Sequence, residues 1–85
     1  SMLRGPHRIS IGRKFIADDF VTLDARGDTS AIVIGDHVTV GKFSIIAAKD
    51  STITLKAGVN IGSNCRIATQ SKIEIGESTL IAAYC

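Results

Sequence analysis

The sequence predicts an all-β fold: a parallel β-helix of about three and a half triangular coils over residues 9–85. Three observations predict it. Aliphatic residues recur at a step of six, as Ile34, Val40 and Ile46 do in IVIGDHVTVGKFSII. A helix repeats its apolar face about every 3.6 residues and a strand every two, so neither explains that step alone. A longer period of roughly twenty encloses the short one. Finally, Ile, Val, Thr, Ala and Gly are plentiful, Trp is absent and Pro occurs once. That mixture suits strands and tight turns more than helices.

The elements follow in chain order. ISIGRKF (9–15), IVIGDHV (32–38), ITLKAGV (53–59) and IEIGEST (73–79) align, with starts 23, 21 and 20 residues apart. Each opens a coil of hexads, and each hexad is a short strand plus a turn that forms one wall of a prism. The first coil offers Ile11, Ala17 and Leu23, the second Ile34, Val40 and Ile46, and the third Leu55, Ile61 and Ile67. The fourth begins with Ile75 and Ile81. Equivalent residues of successive coils then stack at about 4.8 Å, the spacing of paired strands. Ile9, Ile32, Ile53 and Ile73 reinforce the first wall. Four residues after most of these aliphatics stands a second inward candidate: Phe15, Val21, Val38, Ser44, Val59, Cys65, Ser71, Thr79 and Cys85. The coils exceed three hexads by five, three and two residues, all near 24–31, 47–52 and 72–74, so one corner carries every insertion. Gly58 and Asn64 mark corners that need positive φ. An antiparallel sandwich of short strands is the alternative, and it has no reason to hold a six-residue phase.

With 85 residues the chain reads as one domain, 9–85, behind a leader, cap or tag remnant at 1–8. Ten basic and eight acidic residues give +2, and no aromatic and Lys/Arg interleaving suggests base stacking. Both facts argue against a nucleic-acid partner. No apolar run approaches the ~18 residues of a membrane span, and no signal-peptide pattern is present. Two cysteines are too few for a disulfide scaffold, so a reduced, cytoplasmic setting is expected.

From Ile32 to Cys85, and more loosely from Ile9, the chain resembles the hexapeptide-repeat acyltransferases. Their repeat is an aliphatic residue, Gly or similar, two free positions, a small residue and one more free position. IGDHVTVGKFSI, VNIGSNCRIA and IEIGESTLIAAYC follow it. The resemblance implies left-handed winding, although general chirality favours right-handed crossovers in parallel sheets. It also implies a homo-oligomer, usually a trimer of parallel prisms, with acetyl-CoA or another acyl-CoA as co-substrate in the crevice between neighbours. The acyl group passes to a hydroxyl or amine. IGESTLIAAYC is especially like the bacterial sugar O-acetyltransferases, which implies a sugar or polysaccharide precursor as acceptor. No metal is expected.

In such enzymes a histidine takes the proton from the attacking hydroxyl, and it generally follows a segment like 75–85. The expectation is therefore a β-helix portion without the catalytic histidine, either the front of a longer enzyme or a reduced relative. The alternative is a non-catalytic β-helical assembly or scaffold module. Unpaired strand edges at both ends of a β-helix favour association, sideways or end to end.

His37 is the one candidate general base, yet its place two residues after Gly35 reads first as a solvated turn. His7, in RGPHR, reads as cap or linker. The zinc-dependent carbonic anhydrases that share the fold use three histidine ligands, which His7 and His37 cannot supply within one subunit. Cys65 fills an inward slot, where packing is its expected role, and Cys85 follows it one coil later. Asp18, Asp19 and Asp24 read as outer-face residues before acid/base carboxylates. Thr52 and Thr54 are too few for an ice-binding threonine row. Lys42, Lys49, Lys56, Arg66 and Lys72 are candidates for CoA phosphates or plain solvated charges. The glycines follow coil geometry and form no phosphate loop.

Overall fold

A computed structural model describes residues 2–85. Twelve short strands wind into a parallel β-solenoid of about four turns with three walls. The first wall holds β2 (Ile9–Ile11), β5 (Ala31–Ile34), β8 (Thr52–Leu55) and β11 (Ile73–Ile75). The second holds β3 (Ile16–Ala17), β6 (Thr39–Val40), β9 (Asn60–Ile61) and β12 (Leu80–Ile81). The third holds β1 (Met2–Arg4), β4 (Thr22–Asp24), β7 (Ile45–Ala48) and β10 (Arg66–Thr69). Every pairing is parallel, as a chain winding in one sense requires.

The register is the one the hexads predict. Ile9 pairs with Ile32, Ile32 with Ile53, and Ile53 with Ile73. Val40 pairs with Ile61, and both are buried. Leu23, Ile46 and Ile67 align on the third wall. Alternation along each strand sends one set of side chains inward. Leu23, Ile32, Ile46, Ile53, Leu55 and Ile61 are the largest of the fully buried ones. Burial fades at the two ends of the column: Ile11 is 42% exposed, while Ile75 and Ile81 are half-buried.

The corners explain the turn residues. Strand N–H groups point to the next coil, as in Thr22 N–H to Ser44 O at 3.0 Å and Thr39 N–H to Val59 O at 3.0 Å. The corner residues point the other way. His37 donates back to Arg13 O at 2.8 Å, and Phe43 donates back to Asp19 O at 3.1 Å. Turning that N–H backward needs left-handed backbone. Positions 14, 37, 58 and 78 and positions 20, 43, 64 and 84 all have positive φ. Only Gly58 among them is glycine. The others include Lys14, Phe20, His37, Phe43 and Tyr84, a conformation costing non-glycine residues roughly 1–2 kcal/mol each.

The third corner carries the insertions and differs in construction. Ser30 and Ser51 are buried there. Ser30 Oγ donates to Arg26 O at 2.7 Å and accepts Asp50 N–H at 2.8 Å, while Ser51 Oγ donates to Thr69 O at 3.0 Å. Ser71, expected inward, is exposed. The pairing of Ile53 with Ile73 sets it beside Ser51 at the last turn of this corner. Its backbone N–H is taken by Thr69 Oγ1 at 2.8 Å.

Within the leader expected over residues 1–8, Met2–Arg4 is the first strand of the third wall, paired with Thr22–Asp24. A 3₁₀ turn at Pro6–Arg8 then leads into β2. Pro6 sits in that turn's first positions, where its missing N–H costs nothing.

Candidate functional site

A concavity runs along the outside of the third wall into the third corner, with a volume of ≈ 710 Å³. Its floor follows from the strand alternation. Inward Ile46 and Ile67 leave Ala47 and Ala68 facing out, and these two pair in register. Two adjacent methyls on a flat sheet make a shallow apolar floor. One step along the same outward column stands Asp24, paired with Ala47.

Charge is arranged around that floor. Arg26 Nε and Nη2 donate to Asp24 at 3.0 and 2.9 Å, a bidentate pair that closes one end. The hydrogen bonds from Arg26 hold the Asp24 carboxyl below its ordinary range, more than burial raises it, and Asp24 in turn raises Arg26. Both groups stay ionised near neutral pH. Asp50 accepts from Thr29 Oγ1 at 3.3 Å. Lys49 and Arg66 line the groove and form no ion pair among the described residues. With Arg26 offset by Asp24, and Asp50 set against one of these two, the groove keeps one net positive charge and can attract an anion. Of the five basic candidates, the structure brings these two together. Lys56 instead pairs with Glu74 at 3.5 Å on the first wall, and Lys42 and Lys72 are exposed elsewhere.

His37 lies far from this chemistry in the fold. It occupies the corner between the first and second walls, whereas the groove uses the third wall and the corner after it. It is exposed, and no carboxylate lies within ion-pair distance of its ring among the described residues. His7 is exposed in the 3₁₀ turn. Neither lines the groove. Asp18 and Asp19 are exposed, and Asp18 accepts the Asp19 N–H at 2.8 Å. Cys65 is 2% exposed and inward-facing. Among the described residues no group of three or more His, Cys, Asp or Glu stands where it could hold a metal. No helix among them is long and apolar enough to cross a membrane.

The groove itself is a product of the insertion corner. Gly27, Lys49 and Asp50 come from the residues that exceed the hexads, and Gln70 stands just before the third insertion. Sequence reading located those insertions but had no period by which to align their side chains. The available signal was the small residue after each third-wall aliphatic, Ala47 and Ala68. Against protein-family models, characterised proteins and solved structures alike, the chain gives no significant match.

Proposed function

We propose that this column is the acyl-CoA-binding portion of a hexapeptide-repeat acyltransferase. The enzyme class is O-acetyltransferase, acting on a sugar or polysaccharide precursor, and the column winds left-handed and assembles as a trimer. The groove on the third wall carries the reading. Its alanine floor admits a narrow, flexible chain such as a pantetheine arm, and Lys49 and Arg66 offer charge-assisted hydrogen bonds to phosphate oxygens. The Asp24–Arg26 pair limits the groove at one end. Acyl-CoA supplies a thioester, which an acceptor hydroxyl attacks with release of the thiol. No described histidine lines the groove, so this chain's share is to bind and orient the donor rather than to remove the proton.

Calorimetric titration with acetyl-CoA tests the proposal. Binding is expected for the 85-residue chain, weakened about tenfold (~1.4 kcal/mol) by Arg66→Glu or Lys49→Glu and by raised salt. His37→Ala leaves it unchanged. Absence of binding, or equal affinity in the charge-reversed variants, overturns it.

A specific observation favours the second reading, a non-catalytic assembly module. Ile16 (61% exposed), Phe20 (69%), Leu80 (72%) and Tyr84 (81%) stand outward on the second wall and the corner that follows it. Ile16 with Phe20 at one end of this side and Leu80 with Tyr84 at the other offer exposed apolar contacts for association. Light scattering that shows self-association lost in Leu80→Glu, together with no acetyl-CoA binding, selects this reading.

A further inference from the structure

The two cysteines are neighbours across the last turn. Asn60 pairs with Leu80 and Ile61 with Ile81, an offset of twenty that sets Cys65 beside Cys85. The backbone confirms the alignment on both sides. Tyr84 N–H donates to Ser63 O at 2.9 Å and Arg66 N–H to Cys85 O at 2.6 Å. Paired strands lie about 4.8 Å apart, inside the Cα separation of about 4.4–6.8 Å that a disulfide spans.

The side chains favour the same conclusion. Cys65 occupies the inward slot that Val21 and Ser44 fill in the earlier coils. Its Sγ already leans out of its own coil to Ala82 O of the next one at 2.9 Å. Cys65 Sγ also reaches the carbonyl two residues back, Ser63 O at 3.7 Å, and Cys85 Sγ does the same with Ala83 O at 3.8 Å. The two thiols therefore lean alike along the chain at this corner. Cys65 is buried and Cys85 exposed. One can be reached from solvent, and the other waits behind it.

We infer that Cys65 and Cys85 form a redox-sensitive latch, closing as an intramolecular disulfide that fastens the last turn to the one before it. The oxidant is a low-molecular-weight disulfide. The exposed Cys85 thiolate attacks one of its sulfurs, giving a mixed disulfide and releasing one small thiol. Cys65 then loses its proton to solvent and attacks Cys85 Sγ. The Cys65–Cys85 bond forms, and the second small thiol leaves. Two protein thiols are oxidised and one small disulfide is reduced. The burial order supplies the roles: the accessible sulfur is captured first, and the sheltered one resolves it.

Oxidised glutathione applied to the reduced 85-residue protein, followed by alkylation and intact mass measurement, tests the latch. The expected product is a monomer that has lost two hydrogens and takes up no alkylating agent. Its thermal unfolding midpoint rises and returns on reduction. Cys85→Ser, at an exposed position, abolishes both changes, whereas Cys65→Ser traps the glutathione adduct on Cys85. A wild-type product that retains glutathione on Cys85, or a covalent dimer through Cys85, overturns the inference.

Discussion

At Gly41 the spacing of the coils becomes a constraint on one residue. A Cβ there would lie 2.6 Å from both Gly62 C and Ser63 N, backbone atoms of the next coil that cannot swing aside. Gly76 makes an instructive contrast, because the nearest atom to its Cβ would be Thr79 Oγ1 at 3.9 Å. Gly41→Ala is expected to cost about 1–3 kcal/mol through overpacking. Gly76→Ala is expected to be neutral or to stabilise by up to about 1 kcal/mol through a less flexible unfolded chain. Urea unfolding of the two variants checks the pair. The same scale accounts for the backbone at His37. What its position demands is a backward-pointing N–H and a left-handed backbone. Its ring is incidental to that role, just as the rings of Phe20 and Phe43 are at theirs, although those two stack at 5.1 Å once placed there.

At the level of the strand, the inward ladder is the unit of stability, since no single strand of two to four residues can bury its own face. Leu55 is wholly buried between Ile34 and Ile75. Among the described residues Ile75 has a ladder neighbour on one side, Leu55. Leu55→Ala should therefore cost about 2–5 kcal/mol, the range for large-to-small core changes, and Ile75→Ala distinctly less. Equilibrium denaturation of both decides it, and equal costs would mean that ladder position does not govern stability. The ladders were also the part legible in the sequence, because a prism with one aliphatic per wall imposes a six-residue phase that composition cannot hide. Val40 over Ile61 and Ile32 over Ile53 could be aligned without coordinates for that reason. Met2–Arg4 could not, because Met2, Leu3 and Arg4 carry no hexad and β1 is recognisable only by its pairing with β4. The serine pair Ser30 and Ser51 escaped for a related reason: they sit where the insertions break the period. The groove shares that corner, so its floor was readable at Ala47 and Ala68 while its rim, from Gly27 to Gln70, was not.

Across the whole molecule, stability has the form of a chain of nearest-neighbour contacts. Each turn touches the turn above and below it, and strands far apart along the column share nothing directly. Such a molecule opens from its ends, in units of a turn, rather than everywhere at once. The burial gradient gives that expectation residues. The first turn has exposed Met2, Leu3 and Ile11, and the last has exposed Leu80. The middle turns hold Ile32, Val40, Ile46, Ile53, Leu55 and Ile61, all at 1% exposure or less. Native-state hydrogen exchange should therefore show the slowest amides at Gly41 and Ile45, which donate to Ile61 O and Cys65 O in the next coil. Amides of the end turns, such as Met2 and Tyr84, should exchange by local opening with much lower protection. Oxidation of the Cys65–Cys85 latch should then raise protection at Tyr84 and Arg66, whose N–H groups bracket the pair, while leaving Met2 unchanged. Uniform protection along the column would contradict the nearest-neighbour picture. Protection that rises equally at both ends on oxidation would show that fastening one turn stabilises all of them together.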